Sequence, residues 1–99
     1  MEIHWSEHKR SLNLKQHGLD FAEVPRIFDG RTITYEDHRF AYGEQRFVTL
    51  GLLSGNPVSV VHTETAHEIR IISFRKATRR ESHIYFEQIG NRIPIPPVR

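Results

Sequence analysis

Between residues 46 and 74 the chain carries three runs with strand chemistry, joined by turns too short for anything but hairpins. The first run is 46–53. Ser54-Gly55-Asn56-Pro57 is a tight turn, and 58–63 follows, continuous and apolar, as befits a central strand. Residues 64–68 make the next turn, and 69–74 is the third strand. Parallel neighbours need a crossover of a dozen or more residues, so these three strands form an antiparallel meander. The rest of the chain has to pack on that sheet.

Ahead of the meander, Glu2-Ile3-His4-Trp5 alternates polar and apolar and reads as a short strand. Ser6 is placed to cap a helix, although Lys9 occupies the position of a capping-box acid. That helix, 7–16, has only Leu12 and Leu14 as apolar residues, so it is polar and mostly exposed, and Gly18 closes it. Asp20 is a second cap. Phe21, Val24, Ile27 and Phe28 then recur at helical spacing, with Pro25 in the first turns, where it is tolerated. Residues 32–36 make a short strand and 37–44 a polar loop. After the meander, 76–88 is rich in helix formers and Gly90 ends it. The order is β-α-α-β-β-β-β-α. The expected fold is α+β, an antiparallel sheet packed against two N-terminal helices, with a C-terminal helix. It forms one domain over 1–90, and 91–99, with three prolines, is a tail.

No run of 18 apolar residues occurs and no apolar stretch follows the first ten residues, so neither a membrane span nor a secretory signal is expected. There is no cysteine, which excludes disulfides and thiolate metal sites and fits a cytoplasmic protein. Seven histidines invite a metal reading. However, a strand-to-helix junction separates His4 from His8, and His62 and His67 lack helical ligand spacing. No metal and no cofactor are expected. The net charge of +2 is modest but uneven: residues 1–40 sum to −1 and 41–99 to +3, and 11 of the 14 basic residues are arginine. The arginine fork suits phosphate, which turns attention to nucleic acid.

Three ordered blocks sharpen that reading. The first is Trp5, Lys9, Asn13, His17-Gly18 and Phe21-Ala22-Glu23. The second is Gly43-Glu44-Gln45-Arg46-Phe47 with Leu50-Gly51. The third is Val60-Val61-His62-Thr63-Glu64, then Ile69-Arg70-Ile71-Ile72-Ser73-Phe74-Arg75-Lys76-Ala77, Arg79-Arg80-Glu81 and Tyr85. Together they resemble the BrnT toxins of bacterial type II toxin–antitoxin systems over roughly residues 3–86. Ser6, Thr65 and Phe74 depart from that pattern, where Asp, Arg and a small residue are usual. The resemblance implies a RelE-like fold and a metal-independent endoribonuclease that cleaves RNA by 2′-OH attack on phosphate, inhibiting translation and growth. It also implies a cognate BrnA-like ribbon-helix-helix antitoxin, with DNA contacted only through the antitoxin complex. Thr65 keeps a second reading open: a non-catalytic module that binds RNA or its partner.

Such chemistry needs a proton acceptor, a proton donor and cations for the charge on phosphorus. His62 lies late in the central strand; histidine is the side chain whose charge changes near neutral pH, which makes it a candidate proton carrier, although a strand-end histidine is more often structural. Glu64 competes as base. Arg75 ends the last strand, a common place for phosphate contact. Arg70 lies five residues earlier, so a regular strand points the two to opposite faces unless it bends near Ser73. With Ile69 and Ile71 turned to the helices, Arg70 falls on the open face or pairs with Glu64 or Glu68. Lys9, Lys76, Arg79 and Arg80 complete the RNA-binding candidates, Arg79 one helical turn beyond Arg75. Each is, taken alone, also an ordinary solvated residue.

Overall fold

The apolar run in the middle of the sequence sits in the middle of a sheet. The computed structural model describes residues 2–39, 41 and 43–92. In chain order it holds β1 (Glu2–His4), α1 (Glu7–His17), a 3-10 turn (Phe21–Glu23), α2 (Val24–Phe28), β2 (Ile33–Glu36), β3 (Phe47–Leu53), β4 (Asn56–Glu64), β5 (Glu68–Lys76) and α3 (Arg79–Arg92). The strands lie in the order β1-β5-β4-β3-β2. The meander is antiparallel throughout, from β2 to β5. The expectation of a wholly antiparallel sheet needs one correction: β1 adds parallel to β5, pairing Glu2 with Glu68 and His4 with Arg70. The intervening helices and strands supply the long crossover that a parallel pair requires. The fold is therefore α+β with a mixed five-stranded sheet. Among the described residues no helix is long and apolar enough to cross a membrane.

Both faces of the sheet are used. On one, Phe21, Val24 and Ile27 from the 3-10 turn and α2 pack on Val58, Val60, Ile69, Ile71 and Phe74. On the other, Tyr85 of α3 packs with Ile33, Val48, Leu50 and Val61. The Tyr85 hydroxyl donates to the Arg31 carbonyl at 2.7 Å and pins α3 across the start of β2. Gly51 lets α2 come close: a Cβ there would stand 2.6 Å from Cγ2 of Ile27.

Local chemistry explains the helix ends. Ser6 accepts from the Lys9 amide and Gly18 closes α1 with φ 70°. Asp20 caps the 3-10 turn and takes a fork from Arg10, at 2.7 and 3.0 Å. Those Arg10 bonds hold its pKa down at about 2. The last helix begins later than expected, at Arg79, because β5 runs on to Lys76 and Thr78 accepts from the Glu81 amide. Nor does Gly90 end α3, which continues to Arg92. The stretch 93–99 of the proline-rich tail lies outside the described residues.

α1 is polar and mostly exposed, as its composition requires, and only its Asn13 is buried. The Asn13 amide donates to the Phe74 carbonyl at 2.8 Å, and its oxygen accepts from the Phe74 N–H at 3.0 Å. β1 pairs with β5 only as far as Arg70. Asn13 thus satisfies backbone groups of β5 beyond the reach of its neighbouring strand, as buried backbone groups demand.

Candidate functional site

The bend anticipated near Ser73 exists. Val61 pairs with Ser73 and His62 with Ile71, so Ile72 is an extra residue on β5. A one-residue bulge restores parity between positions five apart. Ile69, Ile71 and Phe74 all turn to the α2 core, while Arg70 and Arg75 both turn to the face on which α3 lies. They share a face but not a site, being roughly 15 Å apart at ~3.3 Å per residue. Arg70 is exposed and has no ion-pair partner among the described residues, so neither Glu64 nor Glu68 holds it.

Arg75 is the centre of the arrangement. Its two terminal nitrogens donate to the two carboxylate oxygens of Glu81 at 2.7 and 3.0 Å. Both side chains are largely buried, 23% and 14% exposed, in the angle between the end of β5 and the first turn of α3. Glu81 also accepts from the Thr78 amide at 2.9 Å, while the Thr78 hydroxyl accepts from the Glu81 amide at 3.1 Å. That is a complete capping box, with a carboxylate that additionally orients a guanidinium. Burial disfavours the charged carboxylate, but the bonds from Arg75 and Thr78 outweigh it, and the Glu81 pKa lies below the ordinary glutamate value. Glu81 is ionised at neutral pH and Arg75 is fixed in one orientation.

A cavity of about 380 Å³ opens beside Glu81, lined by Tyr35, Glu36, Asp37, His38, Arg39 and Val48 as well. On its far wall Arg39 forks onto Asp37, with both bonds at 2.9 Å, and the Asp37 side chain is 1% exposed. Tyr35 lines the same cavity as Glu81, Asp37 and Arg39. Burial, then the Glu81 charge, raises its pKa, so the phenol keeps its proton at neutral pH. Arg79 and Arg80 occupy the first turn of α3, where the helix dipole disfavours cations and attracts anions. Both are exposed, and neither has an ion-pair partner among the described residues.

The remaining candidates do not gather here. His62 and Glu64 alternate with Val61 and Thr63 along β4 and so face α2, opposite to Arg75. His62 is wholly buried between Phe28 and Phe47. Its Nε2 shares a 2.7 Å hydrogen bond with the Thr49 hydroxyl, and Glu64 lies 3.9 Å from its Nδ1. Lys76, one residue past Arg75, points to the helix layer beside Leu19. Lys9 is exposed on α1, in that same layer. Strand alternation is the common cause. In place of His62 and Glu64, Arg75 acquires Glu81 and Tyr35, to which sequence reasoning gave no role. The signal was present in Thr78-x-x-Glu81, a capping-box spacing that puts a carboxylate one turn into the helix that Arg75 precedes.

Glu2, His4 and Glu68 bring their ligand atoms within 4.8 Å of one another at the β1 edge. All three are exposed, and His4 bonds to Glu2 at 3.0 Å, an arrangement that ordinary edge ion pairs also produce. Residues 5–81 match the family model described as ribonuclease toxin, BrnT, of type II toxin–antitoxin systems. No curated protein matches the chain.

Proposed function

Starting from the chain's membership of the BrnT family of type II toxin–antitoxin ribonuclease toxins, we propose that its α3 face cleaves RNA without a metal ion. A type II toxin has an antitoxin partner and, in this family, an RNA substrate. The observation that carries the proposal is the buried Arg75–Glu81 fork beside the cavity. In the proposed reaction a ribose 2′-OH attacks the neighbouring phosphate, the bond to the 5′-oxygen breaks, and a 2′,3′-cyclic phosphate and a 5′-hydroxyl result. Charge builds on the phosphate oxygens as the new bond forms. A guanidinium already held in place meets that charge without reorganising, and removing one such donor commonly costs about 10²–10³ in rate. Glu81 acts through Arg75 as a positioning residue, since its lowered pKa makes it a weak proton acceptor. Arg79, Arg80 and, further along the sheet, Arg70 draw in the flanking phosphates.

Thr65 does not favour the non-catalytic reading. Its hydroxyl accepts from the amides of His67 and Glu68 at 3.3 and 3.2 Å and closes the β4–β5 turn. That turn is at the opposite end of the hairpin from Arg75, which pairs with Ser59. In this reading the fold is a RelE-like variant, the toxin works in the cytoplasm, and a BrnA-like ribbon-helix-helix antitoxin silences it and carries any DNA contact. The test is purified, antitoxin-free protein on RNA with a chelator present. Cleavage that leaves cyclic phosphate ends, and stops when the 2′-OH at the cut is removed, supports the proposal. Intact RNA, or cleavage that needs added metal, refutes it.

A further inference from the structure

The cavity beside Glu81 is poorly made for phosphate. Three carboxylates, Glu36, Asp37 and Glu81, stand in its walls, and a phosphate entering it would meet them. The rest of its lining includes the ring of Tyr35, 38% exposed, the apolar side chain of Val48, and His38. Arg39 is held over one side by a buried carboxylate, its plane fixed by two bonds. An aromatic ring, an oriented guanidinium plane and an apolar floor are what an unstacked nucleobase seeks, and they are how proteins hold single-stranded RNA. The volume of about 380 Å³ is within the ~300–1,000 Å³ of ordinary small-molecule pockets. Arg75 lies across Glu81 from this cavity, at the distance of a side-chain pair.

We infer that the cavity is a nucleobase subsite, in which Tyr35 stacks the base of a nucleotide adjoining the phosphate held by Arg75. This rests on the phosphate role proposed for Arg75. It adds that the substrate is single-stranded, because a base paired in a duplex cannot enter a cavity at the β2 edge of the sheet.

Binding, separated from cleavage, tests it. A short single-stranded 2′-O-methyl RNA has no attacking hydroxyl and stays whole, and an abasic position can be moved along it. For the wild-type chain one abasic position should weaken binding about tenfold, the usual scale of one stacked base. Tyr35→Leu should weaken the intact oligonucleotide by a similar factor and abolish the abasic effect, while Tyr35→Phe retains both. A matched duplex should bind the wild type and Tyr35→Leu equally. If the abasic and Tyr35→Leu losses multiply independently, or Tyr35→Leu binds as tightly as wild type, no base stacks there. Thermal unfolding of Tyr35→Phe and Tyr35→Leu separates a lost stack from a damaged fold. A chain that stacks the base but never cuts all-ribose RNA contradicts the ribonuclease reading alone. One that cuts RNA with no Tyr35 dependence contradicts the subsite alone.

Discussion

His62 should make this protein lose stability in acid, by an amount that can be worked out. The imidazole is wholly buried, with Phe28 edge-on at 5.4 Å and Phe47 stacked at 6.0 Å. Its Nε2 is bonded to Thr49, whose hydroxyl also bonds that of Thr34 at 2.7 Å. Among the described residues its Nδ1 has no hydrogen-bond partner. Burial lowers its pKa from 6.5 and outweighs the opposing Glu64 charge. In the unfolded chain the ring takes a proton near pH 6.5, whereas in the folded chain it resists. Below that pH the unfolded state binds more protons, so stability falls as acid is added and is fully present above it. Between pH ~7.5 and pH ~5.5 the loss attributable to this group is at most about 1.4 kcal/mol. Urea unfolding at both pH values, on wild type and His62→Gln, isolates it. The wild type should lose more than the variant, by up to about 1.4 kcal/mol. An equal loss in the two proteins would show that the folded site accepts the proton, and the reasoning fails.

Other side chains give equally definite expectations. Asn13→Ala orphans the Phe74 N–H and C=O and should cost about 3 kcal/mol in chemical denaturation; a loss below about 1 kcal/mol would mean that other groups replace it. Gly51→Ala drives a methyl into the branched Ile27 side chain and should cost about 1–3 kcal/mol, whereas an unchanged midpoint would show that α2 shifts freely. Glu81→Gln keeps the shape but turns a charged fork into a neutral contact. It should cost about 1–2 kcal/mol of stability, and lower kcat for RNA cleavage with little change in KM; a pure KM effect would contradict its positioning role.

Much of the fold was legible because hydrophobic periodicity and turn length are local properties. The meander followed from two short turns, and Asp20, Ser6 and Gly18 act where their chemistry places them. The parallel pairing of β1 with β5 was not legible, since nothing in Glu2-Ile3-His4 specifies a partner more than sixty residues away. The site was half legible for the same reason. Arg75 stood out as a strand-end arginine, and the conflict between Arg70 and Arg75 on a straight strand pointed to the bulge at Ile72. Whether His62 faced the arginines depended on strand parity relative to a helix layer that the sequence does not locate. Tyr35 and Arg39 come from β2 and the loop after it, brought beside α3 only by the sheet order.

One comparison bears most directly on the central claim that the α3 face, and not the α2 face, carries the chemistry. It is the single-turnover rate of RNA cleavage by two variants, Arg75→Lys and His62→Gln, with folding confirmed for each. Lysine keeps the charge of Arg75 but cannot form the fork with Glu81, so its rate should fall by about 10²-fold. His62→Gln should cleave within a few-fold of wild type. A rate lost with His62→Gln and kept with Arg75→Lys would contradict the account and move the active site to the other side of the sheet.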